Sequence, residues 1–329
     1  MAFTCCPRAA RRGDRSPAKS ACAAPANRYA GRVIARLCRF EPPGQPGAPR
    51  AAAPARVGLV LPEADRVLDL TAAGVARLTE LLERPDLPAW LEGLAGRGDL
   101  PAYGLAAVRW LAPVERQEVW AAGVTYLRSK AARMAESTFS ATAYDRVYDA
   151  PRPELFFKAL AEKVVGPGEP VGVRRDSRWT VPEPELALVL NAAGQVVGYT
   201  LGNDMSARDI EGENLLYLPQ AKIYERSCAL GPWVLVGPDE ATVRGWTLTL
   251  RIRRAGAEVF AGRTEVGRLK RSFAELAAWL CRAQKFPHGA VLLTGTGIVP
   301  PDDFTLQAGD EVEIALADLI RLVNPVTKV

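Results

Sequence analysis

The sequence predicts a β-rich α+β protein, with a small N-terminal α+β unit ahead of a larger, strand-dominated domain. Two observations predict it. Short apolar runs bounded by Gly, Pro and Asn recur through the second two thirds of the chain, as strands do, and few stretches carry the 3.6-residue period of a helix. The chain has 329 residues, 48% hydrophobic and 24% charged, which suits one large soluble domain or two.

Taken in order, the head "MAFTCCPRAARRGDRSPAKSACAAPANRYAG" is rich in Arg, Ala, Ser and Pro and nearly free of acids. That composition fits an organelle transit peptide, but also a disordered or mis-started extension, and the second reading is preferred for residues 1–30. "RVIARLCRF" and "ARVGLVLPEADRVLDLT" read as short strands joined by the Pro/Gly/Ala loop "EPPGQPGAPRAAAPA". "AAGVARLTELLER" and "LPAWLEGLAG" read as helices, so residues 31–115 form the small unit. "APVERQEVWAAGVTY" reads as a link into the domain spanning 116–329. There "ELFFKAL", "ELALVL", "VVGYTL", "WTLTLRIRRAG", "AVLLTGT" and "EVEIAL" read as strands. "SFAELAAWLCRAQ" reads as a helix opened by a capping box from Ser272 to Glu275.

Charge and cysteine usage narrow the class. The net charge is +5, but the first 50 residues carry +8, so the remainder is mildly acidic at −3. No basic stripe marks a nucleic-acid surface, and no apolar run approaches the ~18 residues of a membrane helix. Cys5, Cys6, Cys22, Cys38, Cys228 and Cys281 show no metal-ligand spacing in the body and no disulfide framework, which points to the reducing cytoplasm.

The chemistry centres on "VPEPELALVL", residues 181–190. Glu183 and Glu185 share one face of a strand with Ala187 and Val189, because side chains two apart point the same way. "NAAGQ" has turn composition and "VVGYTLGND" follows as a second strand. A hairpin looping at 192–195 places Asp204 opposite Glu183, within one register step. Three clustered acids fit a hard cation such as Mg²⁺ or Mn²⁺. Solvated acids on an exposed edge strand fit the spacing equally well. Downstream, Lys222 lies in an apolar setting between "LYLP" and "IY", where an ammonium needs a partner, and fits a proton carrier or an anion clamp.

"EPELALVL", "GYTLGNDMSARD", the lysine of "QAK" and "LLTGTG" together resemble the motifs of the fumarylacetoacetate hydrolase superfamily, over roughly residues 117–329. The resemblance implies a β-rich catalytic fold, a bound Mg²⁺ or Mn²⁺ on Glu183, Glu185 and Asp204, an active-site Lys222, and a substrate contact at Thr296. It also implies a homodimer or homotetramer. "DRVYDAPRPELFFKA", "SRWTVPEPELALVL" and "ENLLYLPQAKIYERSCALGP" resemble the subgroup of 2-keto-3-deoxy sugar acid dehydratases, where Glu154 corresponds to a substrate-side carboxylate. In structural terms Glu154 is equally a loop acid paired with Arg152. Arg208 either holds substrate, braces the acids, or pairs with Asp209 or Glu213.

The hydrolases of the superfamily carry an N-Y-x-x-H-x-x-E stretch whose His and Glu activate water. Here "TYLRSKAA" puts Ser129 at the His position. The single His, His288 in "KFPHGAV", reads as a turn residue. A dehydratase needs no water-activating dyad. The implied reaction is metal-dependent dehydration of 2-dehydro-3-deoxy-D-arabinonate to 2-oxoglutarate semialdehyde through an enolate, with Lys222 and Glu154 moving protons. Lys222 would need a lowered pKa to serve as base, and burial beside a cation pushes that way. The alternatives are an acylpyruvate hydrolase or oxaloacetate decarboxylase on the same scaffold, or a non-catalytic 2-oxo acid binding protein.

Overall fold

A computed structural model describes residues 35–44, 54–95, 97–127 and 146–329. The head and most of the "TYLRSKAA" stretch, Ser129 included, lie outside the described residues. In chain order the strands are β1 (Ala35–Glu41), β2 (Arg56–Leu61), β3 (Arg66–Asp69), β4 (Ala102–Gly104), β5 (Arg109–Leu111), β6 (Glu118–Gly123), β7 (Glu154–Ala159), β8 (Val171–Val173) and β9 (Thr180–Val181). They continue as β10 (Pro184–Leu190), β11 (Val196–Asp204), β12 (Ser206–Ala207), β13 (Cys228–Val236), β14 (Thr247–Arg254), β15 (Ala257–Glu265), β16 (Ala290–Leu293), β17 (Glu311–Leu316) and β18 (Ile320–Lys328). The helices are α1 (Leu78–Leu82), α2 (Leu87–Ala95), α3 (Arg208–Glu213), α4 (Leu218–Lys222), α5 (Glu240–Arg244) and α6 (Phe273–Leu280). Among the described residues no helix is long and apolar enough to cross a membrane.

Eleven strands form one sheet in the order β4-β3-β2-β1-β13-β11-β10-β16-β6-β7, with β5 pairing β1 at the side. A second sheet runs β15-β14-β17-β18-β8. The main core lies between them: Leu186, Leu188 and Leu190 of β10 pack with Leu250, Ile252, Ile314 and Leu322 of the second sheet and with Phe273 and Leu276 of α6. On the other face of the large sheet, Leu78, Leu81 and Leu91 of α1 and α2 cover Leu37, Leu59, Val189 and Val234. Strand β10 is therefore apolar on both faces because both are covered, and only its front end is charged.

Several elements differ from the sequence pattern. "AAGVARLTELLER" yields only the five-residue α1, because a 3₁₀ turn at Leu70–Ala73 is closed by Gly74 in the left-handed region (φ 87). Half of the predicted capping box forms: Ser272 accepts from the Glu275 N–H at 3.0 Å, while the Glu275 carboxylate accepts from Arg271 at 2.6 Å. The stretch taken as a link contains β6, which lies parallel to β16 and pairs with β7. Strand β13 went unannounced because Gly231 and Pro232 interrupt its apolar run. They fall where the ladder to β11 shifts register, the setting in which a strand tolerates proline.

Leu188 is fully buried in the central strand. Its truncation to Ala should lower the unfolding free energy by about 2–5 kcal/mol in a urea titration. Leu216→Ala, at 82% exposure, should change it by less than about 0.5 kcal/mol.

Candidate active site

The hairpin of β10 and β11 sets the site. Pro184 pairs with Asn203, Glu185 with Gly202 and Leu186 with Leu201, and the Asp204 N–H donates to the Glu183 carbonyl at 2.9 Å. One face therefore carries Glu183 and Glu185 from one strand and Asp204 from the next, as the hairpin expectation required. Gly202, opposite Glu185, leaves room for Leu293, whose Cδ2 would lie 2.1 Å from any added Cβ. The three acids offer oxygens within 4.8 Å of one another, and each residue is at most 4% exposed. Burial closes off the reading of solvated acids on an exposed edge strand.

Like charges this close are opposed by three buried cations. Lys222 Nζ lies 2.7 Å from Glu183 Oε2 and 3.2 Å from Asp204 Oδ2. Arg208 donates to Glu183 Oε1 at 2.6 Å. Lys158 Nζ stands 2.5 Å from Asp204 Oδ1. The Gly295 N–H donates to Glu185 Oε2 at 2.5 Å. Gly295 has φ +92, and an added Cβ there would sit 2.0 Å from Thr125 Oγ1, so glycine is required for this approach. Burial, then the Asp204 and Glu183 charges, push the Glu185 carboxyl well above its ordinary range, against the opposing pull of Lys222 and of the Gly295 N–H. An all-oxygen, buried, convergent set fits a hard divalent cation. Cys228, paired with Asp204 across the ladder, is not part of this convergent set, and burial pushes its thiol up to about 12.

Beside the acids is a cavity lined by Ala122, Gly123, Val124, Phe156, Lys222, Gly295 and Thr296 together with the three carboxylates. Thr296 is buried on this wall, and its hydroxyl turns to the Ile298 backbone, 3.1 Å from the carbonyl and 3.2 Å from the N–H. Glu154 opens β7 and pairs with Gly123, with Oε2 only 2.1 Å from where a Gly123 Cβ would stand. Its carboxylate thus lies over a cavity-lining glycine, though Glu154 does not itself line the cavity. Arg152 stacks on the Trp279 ring at 4.6 Å. Asp209 accepts from Ser177 Oγ at 2.6 Å and the Arg178 N–H at 2.7 Å, which leaves Arg208 directed to Glu183. His288 occupies the turn before β16, at the opposite end of that strand from Gly295 and Thr296.

Sequence reasoning missed Phe156 and Lys158. The signal was present in "ELFFKA": Glu154, Phe156 and Lys158 alternate along β7, and a lysine in so apolar a strand needs a buried partner.

A fold of two packed sheets with a buried carboxylate triad at the strand ends defines a metal-binding enzyme class. Residues 118–327 match the family described as Fumarylacetoacetate (FAA) hydrolase C-terminal, and the chain belongs to that family. It is 48% identical over 217 residues to the probable 2-keto-3-deoxyxylonate dehydratase of Haloferax volcanii, covering 66% of this chain and 74% of that one. It is 40% identical over 232 residues to the 2-dehydro-3-deoxy-D-arabinonate dehydratase of Saccharolobus solfataricus, covering 70% and 78%. A solved structure of 2-keto-3-deoxy-D-arabinonate dehydratase complexed with magnesium and 2,5-dioxopentanoate matches with TM-score 0.71 at 32% identity, over 89% of this chain and 99% of that one.

Metal stripped from the protein should lower its melting temperature, and Mg²⁺ at about 100 times its Kd should restore about 2.7 kcal/mol. Calorimetry on Glu185→Gln should show no Mg²⁺-dependent shift. A wild-type shift retained in that variant would remove Glu185 from the ligand set.

Proposed function

We propose that this protein is a Mg²⁺-dependent hydro-lyase that converts 2-dehydro-3-deoxy-D-arabinonate into 2-oxoglutarate semialdehyde and water, a step of pentose breakdown. The observation that carries the reading is the buried convergence of Glu183, Glu185 and Asp204, with Lys222 on two of them at the wall of a cavity. The dehydratase relatives support the choice of chemistry within the family. Their two substrate names agree. With C2 a ketone and C3 deoxygenated, C4 is the one stereocentre left, and the D-arabinonate and D-xylonate derivatives share it. Likewise, 2,5-dioxopentanoate is 2-oxoglutarate semialdehyde under another name.

Glu183, Glu185 and Asp204 would hold the cation. Bound there, Mg²⁺ supplies a Lewis acid that polarises the 2-oxo acid group and makes C3 more acidic. The chain's own residues then do the proton work. Lys222 Nζ and the Glu154 carboxylate carry, between them, the proton taken from C3 and the proton given to the departing C4 hydroxyl. Loss of water leaves a C3=C4 enone that still carries the C5 hydroxyl; a proton shift from C5 to C3 makes the C4=C5 enol, whose hydroxyl proton passes to C4 to give the aldehyde, so the product differs from substrate by one water. Arg208 braces Glu183 from behind and does not touch substrate in this reading. Thr296, Phe156 and Val124 line the cavity beside the place the substrate would take.

The protein should form 2-oxoglutarate semialdehyde from 2-dehydro-3-deoxy-D-arabinonate only with Mg²⁺ or Mn²⁺ present, followed through a coupled semialdehyde dehydrogenase. Glu183→Gln should be inactive with an unchanged circular dichroism spectrum. Lys222→Ala and Glu154→Gln should each lower kcat about 10²–10⁴-fold. Release of pyruvate from an acylpyruvate or from oxaloacetate, with no semialdehyde formed, would replace the chemistry while keeping the site.

A further inference from the structure

Lys158 is a fully buried lysine to which the reaction above gives no part. Taking an ammonium out of water is costly, so its partners must be close. It has three: Asp204 Oδ1 at 2.5 Å, the Met205 carbonyl at 3.0 Å, and the Lys222 carbonyl. The first belongs to the carboxylate triad. The third is the last carbonyl of α4, the short helix that ends in the active-site lysine. Strand β7 aims Lys158 with a register irregularity: Val119 pairs with Ala159, but Trp120 pairs with Phe157, so Lys158 is the extra residue. Bulges of this kind re-aim a side chain.

We propose that Lys158 is a positioning residue, whose single ammonium fixes both the orientation of the Asp204 carboxylate and the end of the helix that presents Lys222. An ordinary buried counter-charge would need one acid. This one spends two of its contacts on backbone carbonyls, one directly after Asp204 and one on Lys222 itself. Lys158 stands 2.5 Å from Oδ1 while Oδ2 lies 3.2 Å from Lys222 Nζ, so the two lysines flank the Asp204 carboxylate with one oxygen each. The short α4 has little cohesion of its own, so its C-terminal carbonyl depends on such a donor.

The proposal rests on the metal-site reading, and the test separates the two. Metal-stripped full-length wild type, Glu185→Gln and Lys158→Met are titrated with Mn²⁺ by calorimetry, then assayed for dehydration at saturating Mn²⁺. Wild type should bind and Glu185→Gln should not; absence of binding in wild type overturns both readings. Lys158→Met should weaken the Mn²⁺ Kd about 10–100-fold, as loss of a residue that orients a metal ligand does. At saturating metal its kcat should stay at least about tenfold down, with KM within about threefold, because Lys222 is misplaced as well. Either quantity within about twofold of wild type, with wild-type binding intact, overturns the proposal alone. Should Lys158→Met fail to fold, Lys158→Arg takes its place. It keeps the charge but not the geometry of a point-like ammonium, so the same losses are expected, and wild-type values there overturn the proposal.

Discussion

The site depends on one electrostatic constraint: three carboxylates held within 4.8 Å of one another and out of water. Such a cluster persists only where positive charge is built around it. Here Lys158, Arg208 and Lys222 supply it, each from a different element: β7, the start of α3 and the end of α4. The glycines serve the same end. Gly202 and Gly295 let neighbouring chain come close enough to pack against the acids or donate to them. The order of strands in the large sheet follows suit, since β11, β10, β16, β6 and β7 lie side by side and deliver acid, acids, Thr296, Gly123 and Glu154 to one end.

The charge balance also favours the kind of ligand. Three acids and three bases cancel, so a divalent cation leaves two surplus positive charges in a low-dielectric setting. An anionic 2-oxo acid, with Glu154 close by, brings the site back toward neutrality. Cation and substrate anion therefore reinforce each other's binding, which neutral sugars cannot do.

Much of this was legible in the sequence, and what was not has physical reasons. The β10–β11 hairpin could be read because strict alternation and a polar turn fix register, and register alone carries Asp204 to Glu183. Lys222 was visible as a charge in an apolar setting. Strand β13 was hidden by Gly231 and Pro232, which a bulge accommodates and a pattern cannot foresee. Edge strand β15 was hidden because its mostly exposed side chains show no apolar period. For Arg208 the sequence leaves the clustered acids and the neighbours Asp209 and Glu213 as alternatives, and only the fold selects Glu183. Lys158 carries the same signal as Lys222, a charge in an apolar stretch, but which groups it meets is visible only in the fold.

β1 is laid directly against β13, from Ala35 opposite Val236 to Cys38 opposite Trp233, and β13 in turn is the neighbour of the strand that carries Asp204. The stretch recognised by family likeness begins at residue 118 and so leaves β1 outside it. Cut there, the chain would present a bare strand edge together with Val234 and Val236 stripped of their cover, a surface made for self-association.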